Sequence, residues 1–145
     1  MIWAIPKAIH LLGAVIWVGG MFFALLVLRP SLTVLEPPQR LALHEQVFKR
    51  FFRIIWHVMP LVLLSGYFMV FTLYGGFAGA SPYIHIMHLT GLIMAGVFVW
   101  IYVGPWKRFR TEPAGRPAAA NSIRKLILAN LILGLLTIVA ASMIN

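Results

Sequence analysis

Of the 145 residues, 61% are hydrophobic, 13% aromatic and only 10% charged, and the mean hydropathy is +0.92. A soluble domain is roughly 45–50% apolar and roughly 25% charged, so this chain has too few polar residues to coat a water-soluble globule. Lys and Arg number 12 against 3 for Asp and Glu, and there is no cysteine. A nucleic-acid binder with that basic excess would not be this apolar, whereas a lipid bilayer as partner accounts for both facts. The missing cysteines exclude disulfides, Cys-ligated metal centres and thiol catalysis. Three carboxylates argue against a two-carboxylate hydrolase or a carboxylate-rich di-metal site.

A spanning helix needs about 20 mainly apolar residues. The first such run is Ala8 to Leu28, interrupted only by His10. Arg29 and Pro30 follow it where a secretory cleavage site would have small residues, so a retained helix is expected. Pro37-Pro38 breaks the next connection, after which Leu41, His44, Glu45, Phe48 and Phe52 recur at helical spacing. That pattern predicts an amphipathic lead-in on the inner membrane surface, running towards or into the second span. The second span covers about Ile54 to Tyr74, holds His57, and should kink at Pro60. Ser81-Pro82 is a helix-start signature, and the third span covers about Ile84 to Val103, with His85 and His88. Thr111 to Ala120 reads as a flexible loop, and the fourth span runs from about Leu126 to Ile144. Backbone groups in lipid must be satisfied internally, so the expected fold is all-α: one four-helix transmembrane bundle filling the chain.

Charge sets the expected orientation. Arg29, Arg40, Lys49, Arg50 and Arg53 lie between spans one and two, and Lys107, Arg108, Arg110, Arg116, Arg124 and Lys125 between spans three and four. The link from Gly75 to Pro82 carries no charge. The positive-inside rule then places both basic connections in the cytoplasm and both termini outside.

Histidines inside a membrane are costly and tend to face the bundle interior. At ~1.5 Å per residue, His10, His85 and His88 all fall within roughly 5–9 Å of the outer surface. His57 lies near the inner surface and His44 in the lead-in. One imidazole from each of two helices is what a bis-histidine haem requires. A flat macrocycle also needs room, and small residues follow the candidate ligands: Gly13 and Ala14 after His10, with Trp17 a turn further, and Gly91 after His88, with Ala95 and Gly96 beyond. Lys7, one turn outward from His10, is the natural partner for a propionate. Small-xxx-small faces also serve plain helix packing, and that reading stays open.

Copper can use the same cluster: His85, Met87 and His88 form a short run, with Met94 two turns below, and imidazole with thioether suits Cu(I). Against it, Met87 should point about 100° away from His88. In the fourth span Asn130, Gly134 and Thr137 share a face suited to cross-bundle hydrogen bonds, a cofactor edge or a dimer contact. The five tryptophans sit mostly near span ends, as in an aromatic belt.

The segments Lys7-Ala8-Ile9-His10-Leu11-Leu12, Trp17-Val18-Gly19-Gly20-Met21-Phe22 and Leu28-Arg29-Pro30 resemble the CopD-like membrane family, which is similar in turn to the HemJ-type protoporphyrinogen oxidases. Tyr83-Ile84-His85 and Pro105-Trp106-Lys107-Arg108-Phe109-Arg110 fit the same pattern. The resemblance implies a helical bundle in a bacterial inner membrane. Its HemJ-like branch implies haem b with His10 as an axial ligand and a functional role at His85. That branch carries a lysine shortly after the helix-three histidine, and here Met87 and His88 stand in its place. The resemblance therefore leaves haem binding in view and oxidoreductase activity open. The expectation is a haem b protein ligated by His10 and either His85 or His88, transferring electrons, with a quinone or a redox protein as partner. A homodimer would form through a Gly/Ala-rich face or the Asn130 face. The alternatives are copper handling by His10, His85 and His88, and a cofactor-free scaffold.

Overall fold

The computed structural model describes residues 2–144. Four helical rods, α1 (Ala4–Val34), α2 (Pro37–Leu73), α3 (Pro82–Thr111) and α4 (Pro113–Ser142), are each long and apolar enough to cross a membrane. No strand occurs among the described residues. The chain is a multi-pass membrane protein, and its rods alternate in direction. The start of α1 meets the end of α2 (Trp3 against Phe68, 6.2 Å between rings), and the start of α3 meets the end of α4 through Thr90 and Thr137.

The expected lead-in is the first part of α2. At ~1.5 Å per residue, its 37 residues span about 55 Å, well beyond a ~30 Å hydrocarbon core. Pro37 and Pro38 occupy the first turn, where a missing N–H costs nothing. The Glu36 backbone N–H donates to Gln39 Oε1 at 3.1 Å, closing the start. The helix continues through Pro60 without a break. Pro105 lies inside, and Pro30 just beyond, a stretch where the helix widens to π geometry, at Tyr102–Trp106 and Phe23–Leu28. A proline ring crowds the carbonyl four residues back and offers it no N–H, and a wider turn relieves that crowding. Both rods thus run past their expected ends.

The loop expected over Thr111 to Ala120 is a tight corner. Helix stops at Glu112, one 3₁₀ turn covers Pro113–Gly115, and helix resumes at Arg116, ten residues before the expected start at Leu126. Arg116 holds the corner: Nε donates to the Phe109 carbonyl at 3.1 Å, the guanidinium lies 5.3 Å from the Phe109 ring, and Nη1 reaches Glu45 Oε2 at 3.4 Å. At the opposite end, Gly75 and Gly76 take φ of +68° and +111°, which only glycine adopts freely, and turn the chain into α3. Ser81 caps α3 by position alone, because its hydroxyl is buried without a partner.

Packing is uneven. α1 lies chiefly on α2 and α3 chiefly on α4. The two pairs are joined at the basic end by an aromatic cluster in which Phe52 meets Phe48 at 5.8 Å, Trp106 at 5.3 Å and Phe98 at 5.9 Å. Two tryptophans belong to this core and not to a belt: Trp17 and Trp106 are each 3% exposed, against 64% for Trp100. The Asn130 face likewise points inward. Asn130 is buried and donates from Nδ2 to the Met94 carbonyl at 3.2 Å, so it joins α3 to α4 and is not available as a dimer contact.

Candidate functional site

Towards the other end the two helix pairs separate, leaving an apolar crevice of about 730 Å³, mouth included. His10 and Trp17 of α1, Gly66 and Tyr67 of α2, and His88 and Gly91 of α3 all line it.

His10 is held in a defined state. Its Nδ1 lies 2.8 Å from the Val62 carbonyl and 3.3 Å from Ser65 Oγ. A carbonyl can only accept, so Nδ1 carries the proton of the neutral ring and Nε2 keeps a free lone pair. A backbone or carboxylate partner on the distal nitrogen is the usual support of a ligating imidazole. Gly66 makes the ring's position possible: a Cβ there would lie 3.0 Å from Cε1 and 3.3 Å from Nδ1 of His10. Across the crevice, the His88 ring packs on Phe77 (4.7 Å) and Tyr67 (5.0 Å), and the Tyr67 hydroxyl lies 3.4 Å from its Nε2.

The other expected residues divide. His85 is exposed, does not line the crevice, and lies against Phe77 at 5.9 Å. The inward stripe of α3 is Ile84, Met87, His88, Gly91 and Met94, and His85 falls about 100° off it. The same stripe corrects the expectation for Met87: positions three and four beyond Ile84 flank one line, so Met87 and His88 both reach the crevice. Gly91 lies on the wall, and a Cβ there would meet nothing within 4 Å. Gly13 does not lie on the wall. Its Cβ would come 2.3 Å from Val62 Cγ2, so it serves the close approach of α1 to α2. Lys7 is exposed one turn outward and does not line the crevice. His57 is also exposed, its Nδ1 donating to the Arg53 carbonyl at 2.8 Å. Gly134 and Thr137 of α4 complete the wall, Thr137 Oγ1 donating to Thr90 Oγ1 at 2.6 Å.

Ser65, Gly66 and Tyr67 are the residues that sequence reasoning missed. They are consecutive in α2, at the depth of His10 and His88 once adjacent spans are set antiparallel. That depth match is the signal that would have found them.

Among the described residues, no three His, Cys, Asp or Glu side chains gather as a group able to hold one metal ion. The arrangement instead offers two imidazoles from different helices, two thioethers and a broad apolar wall. This is a polytopic helical membrane protein with a histidine-bearing crevice between two helix pairs. It belongs to the family described as Copper resistance protein D (CopD), which matches residues 45–144. No curated protein and no solved structure matches the chain. The family match begins within α2 and does not include His10.

Proposed function

We propose that the crevice binds haem b, which His10 and His88 would hold, and that the protein transfers electrons. The observation that carries this reading is the pairing of a His10 whose proton is held on Nδ1 with His88 of another helix across one apolar crevice left open at Gly91. Bound there, haem b would supply one-electron chemistry, and two histidine ligands would leave no open coordination position for oxygen. Val62 and Ser65 orient His10, Phe77 and Tyr67 orient His88, and the apolar walls exclude water. Lys7 is the nearby basic group available to a propionate. A lipid-soluble quinone or a redox protein at the crevice mouth would complete the transfer.

Copper handling is the second reading, and a specific observation favours it. Met87 and Met94 share the crevice with His10 and His88, a nitrogen and thioether set suited to Cu(I), and the family description names copper resistance.

An absorption spectrum of detergent-purified protein, oxidised and then dithionite-reduced, with metal analysis of the same sample, separates the two. Haem predicts a sharp Soret band, split visible bands on reduction, and iron. The colour should be lost in His10→Ala and His88→Ala and kept in His85→Ala. A colourless protein carrying copper establishes the second reading. A colourless, metal-free protein from haem-replete cells overturns both and leaves a scaffold.

A further inference from the structure

A second crevice, about 990 Å³ with its mouth, lies at the basic end of the bundle. Three arginines from three rods line it: Arg29 of α1, Arg40 of α2 and Arg124 of α4. No carboxylate lines it. Glu45, beside it in sequence, is directed to Arg116. The hydrogen bonds of the arginines go to neutral acceptors, which orient a guanidinium without cancelling its charge. Arg40 donates from Nε to the Leu35 carbonyl at 2.7 Å and from Nη2 to the Thr33 carbonyl at 3.2 Å. Arg124 donates from Nη2 and Nε to Asn121 Oδ1 at 2.7 and 3.3 Å. His44 stands on the same wall, stacked on Phe48 at 5.4 Å, and its Nδ1 is buried with no hydrogen-bond partner. Like charges gathered on one wall and a buried nitrogen without a hydrogen-bond partner are both features that a polar, anionic ligand would satisfy.

The remainder of the crevice is apolar, with Leu25, Leu28 and Ile127 among its walls. A free anion would engage the arginines and leave that surface unused. An amphiphile uses both. Guanidinium forks match phosphate oxygens, and basic pockets between helices at the cytoplasmic face suit anionic headgroups. We propose that this crevice binds one anionic phospholipid, its phosphate held by Arg29, Arg40 and Arg124 and an acyl chain laid along Leu25, Leu28 and Ile127.

The test uses the full chain in a neutral detergent, with dioctanoyl phosphatidylglycerol, dioctanoyl phosphatidylcholine and inorganic phosphate as probes. Melting temperature is read against probe concentration, and bound lipid is counted by native mass spectrometry. Phosphatidylglycerol should raise the melting temperature saturably with one lipid bound, and the other two probes should not. Arg29→Gln/Arg124→Gln should weaken that response at least about tenfold, the scale of losing charge-assisted hydrogen bonds. Lys107→Gln/Arg108→Gln removes the same charge outside the crevice and should leave the response intact. Should the arginine variant fail to fold, Ala120→Phe, which fills the crevice without changing charge, decides: loss of the response supports the site and retention overturns it. Equal responses to both lipids, or an unchanged response in the arginine variant, also overturn it. Full stabilisation by inorganic phosphate alone would make this a free-phosphate site and end the lipid assignment.

Discussion

A histidine in a membrane span is prepared to ligate when a partner fixes its proton, and for His10 the Val62 carbonyl at 2.8 Å does so. The arrangement costs α2 a side chain at position 66. Three glycines near the crevice therefore do three different things: Gly66 admits the His10 ring, Gly13 lets α1 approach α2, and Gly91 leaves space. Gly91→Leu should consequently fold with a melting temperature close to that of the parent and lose the proposed cofactor, measured as haem or copper per chain. Gly13→Leu should instead act on stability. Overpacking of this kind costs about 1–3 kcal/mol, read from unfolding in mixed micelles. A Gly91→Leu protein that keeps full cofactor occupancy would remove the crevice from the argument. That His10, Trp17 and Gly91 line one crevice was legible in the sequence, because residue type and depth were enough to select them. Gly13 was misjudged because its role depends on Val62, 49 positions away. Ser65 and Gly66 were passed over because small residues in an apolar run look the same whether they serve packing or a ligand.

At the level of helices, boundaries read better than faces. Ser81-Pro82 and Pro37-Pro38 mark real starts, and the lead-in pattern of Leu41, His44 and Phe48 belongs to one continuous α2. Faces were legible only where polar or small residues mark them, as Asn130, Gly134 and Thr137 do on α4; elsewhere the interior and exterior of a bundle in lipid are equally apolar, and within α4 Leu131 is 3% exposed and Leu136 57%, yet both are leucine. Pairing of the helices was therefore not predictable either. What joins the pairs is shape, most of all the aromatic cluster around Phe52. Phe52→Ala should open a cavity where both pairs meet and cost about 3–5 kcal/mol. Phe71→Ala, on an exposed surface, should cost under about 0.5 kcal/mol. Reversible unfolding in mixed micelles compares the two directly. A small effect at Phe52 would mean that the α1–α2 and α3–α4 pairs are held together elsewhere, with Trp17 against Phe98 (6.4 Å between rings) and Val18 against Gly134 the next candidates.

For the whole molecule, the distribution of charge and the distribution of space have the same polarity. The histidine crevice lies towards the end whose α2–α3 link carries no charge, and the arginine crevice lies at the end where the basic connections gather. Under the positive-inside rule the first faces the outer leaflet and the second the cytoplasmic headgroups. The bundle is thus pinned at its inner end and parted at its outer end, which would put the proposed haem or copper within reach of the outer surface. Because the chain has no cysteine, single-cysteine reporters test this cleanly. Ala78, in the α2–α3 link, and Ala114, in the α3–α4 corner, are both exposed. On intact spheroplasts a membrane-impermeant maleimide should label Ala78→Cys and spare Ala114→Cys until the membrane is opened. The reverse result would turn the molecule over. His10 and His88 would then face the cytoplasm, where a copper site would draw on the reduced metal pool, and the arginine crevice would lie among outer-leaflet headgroups.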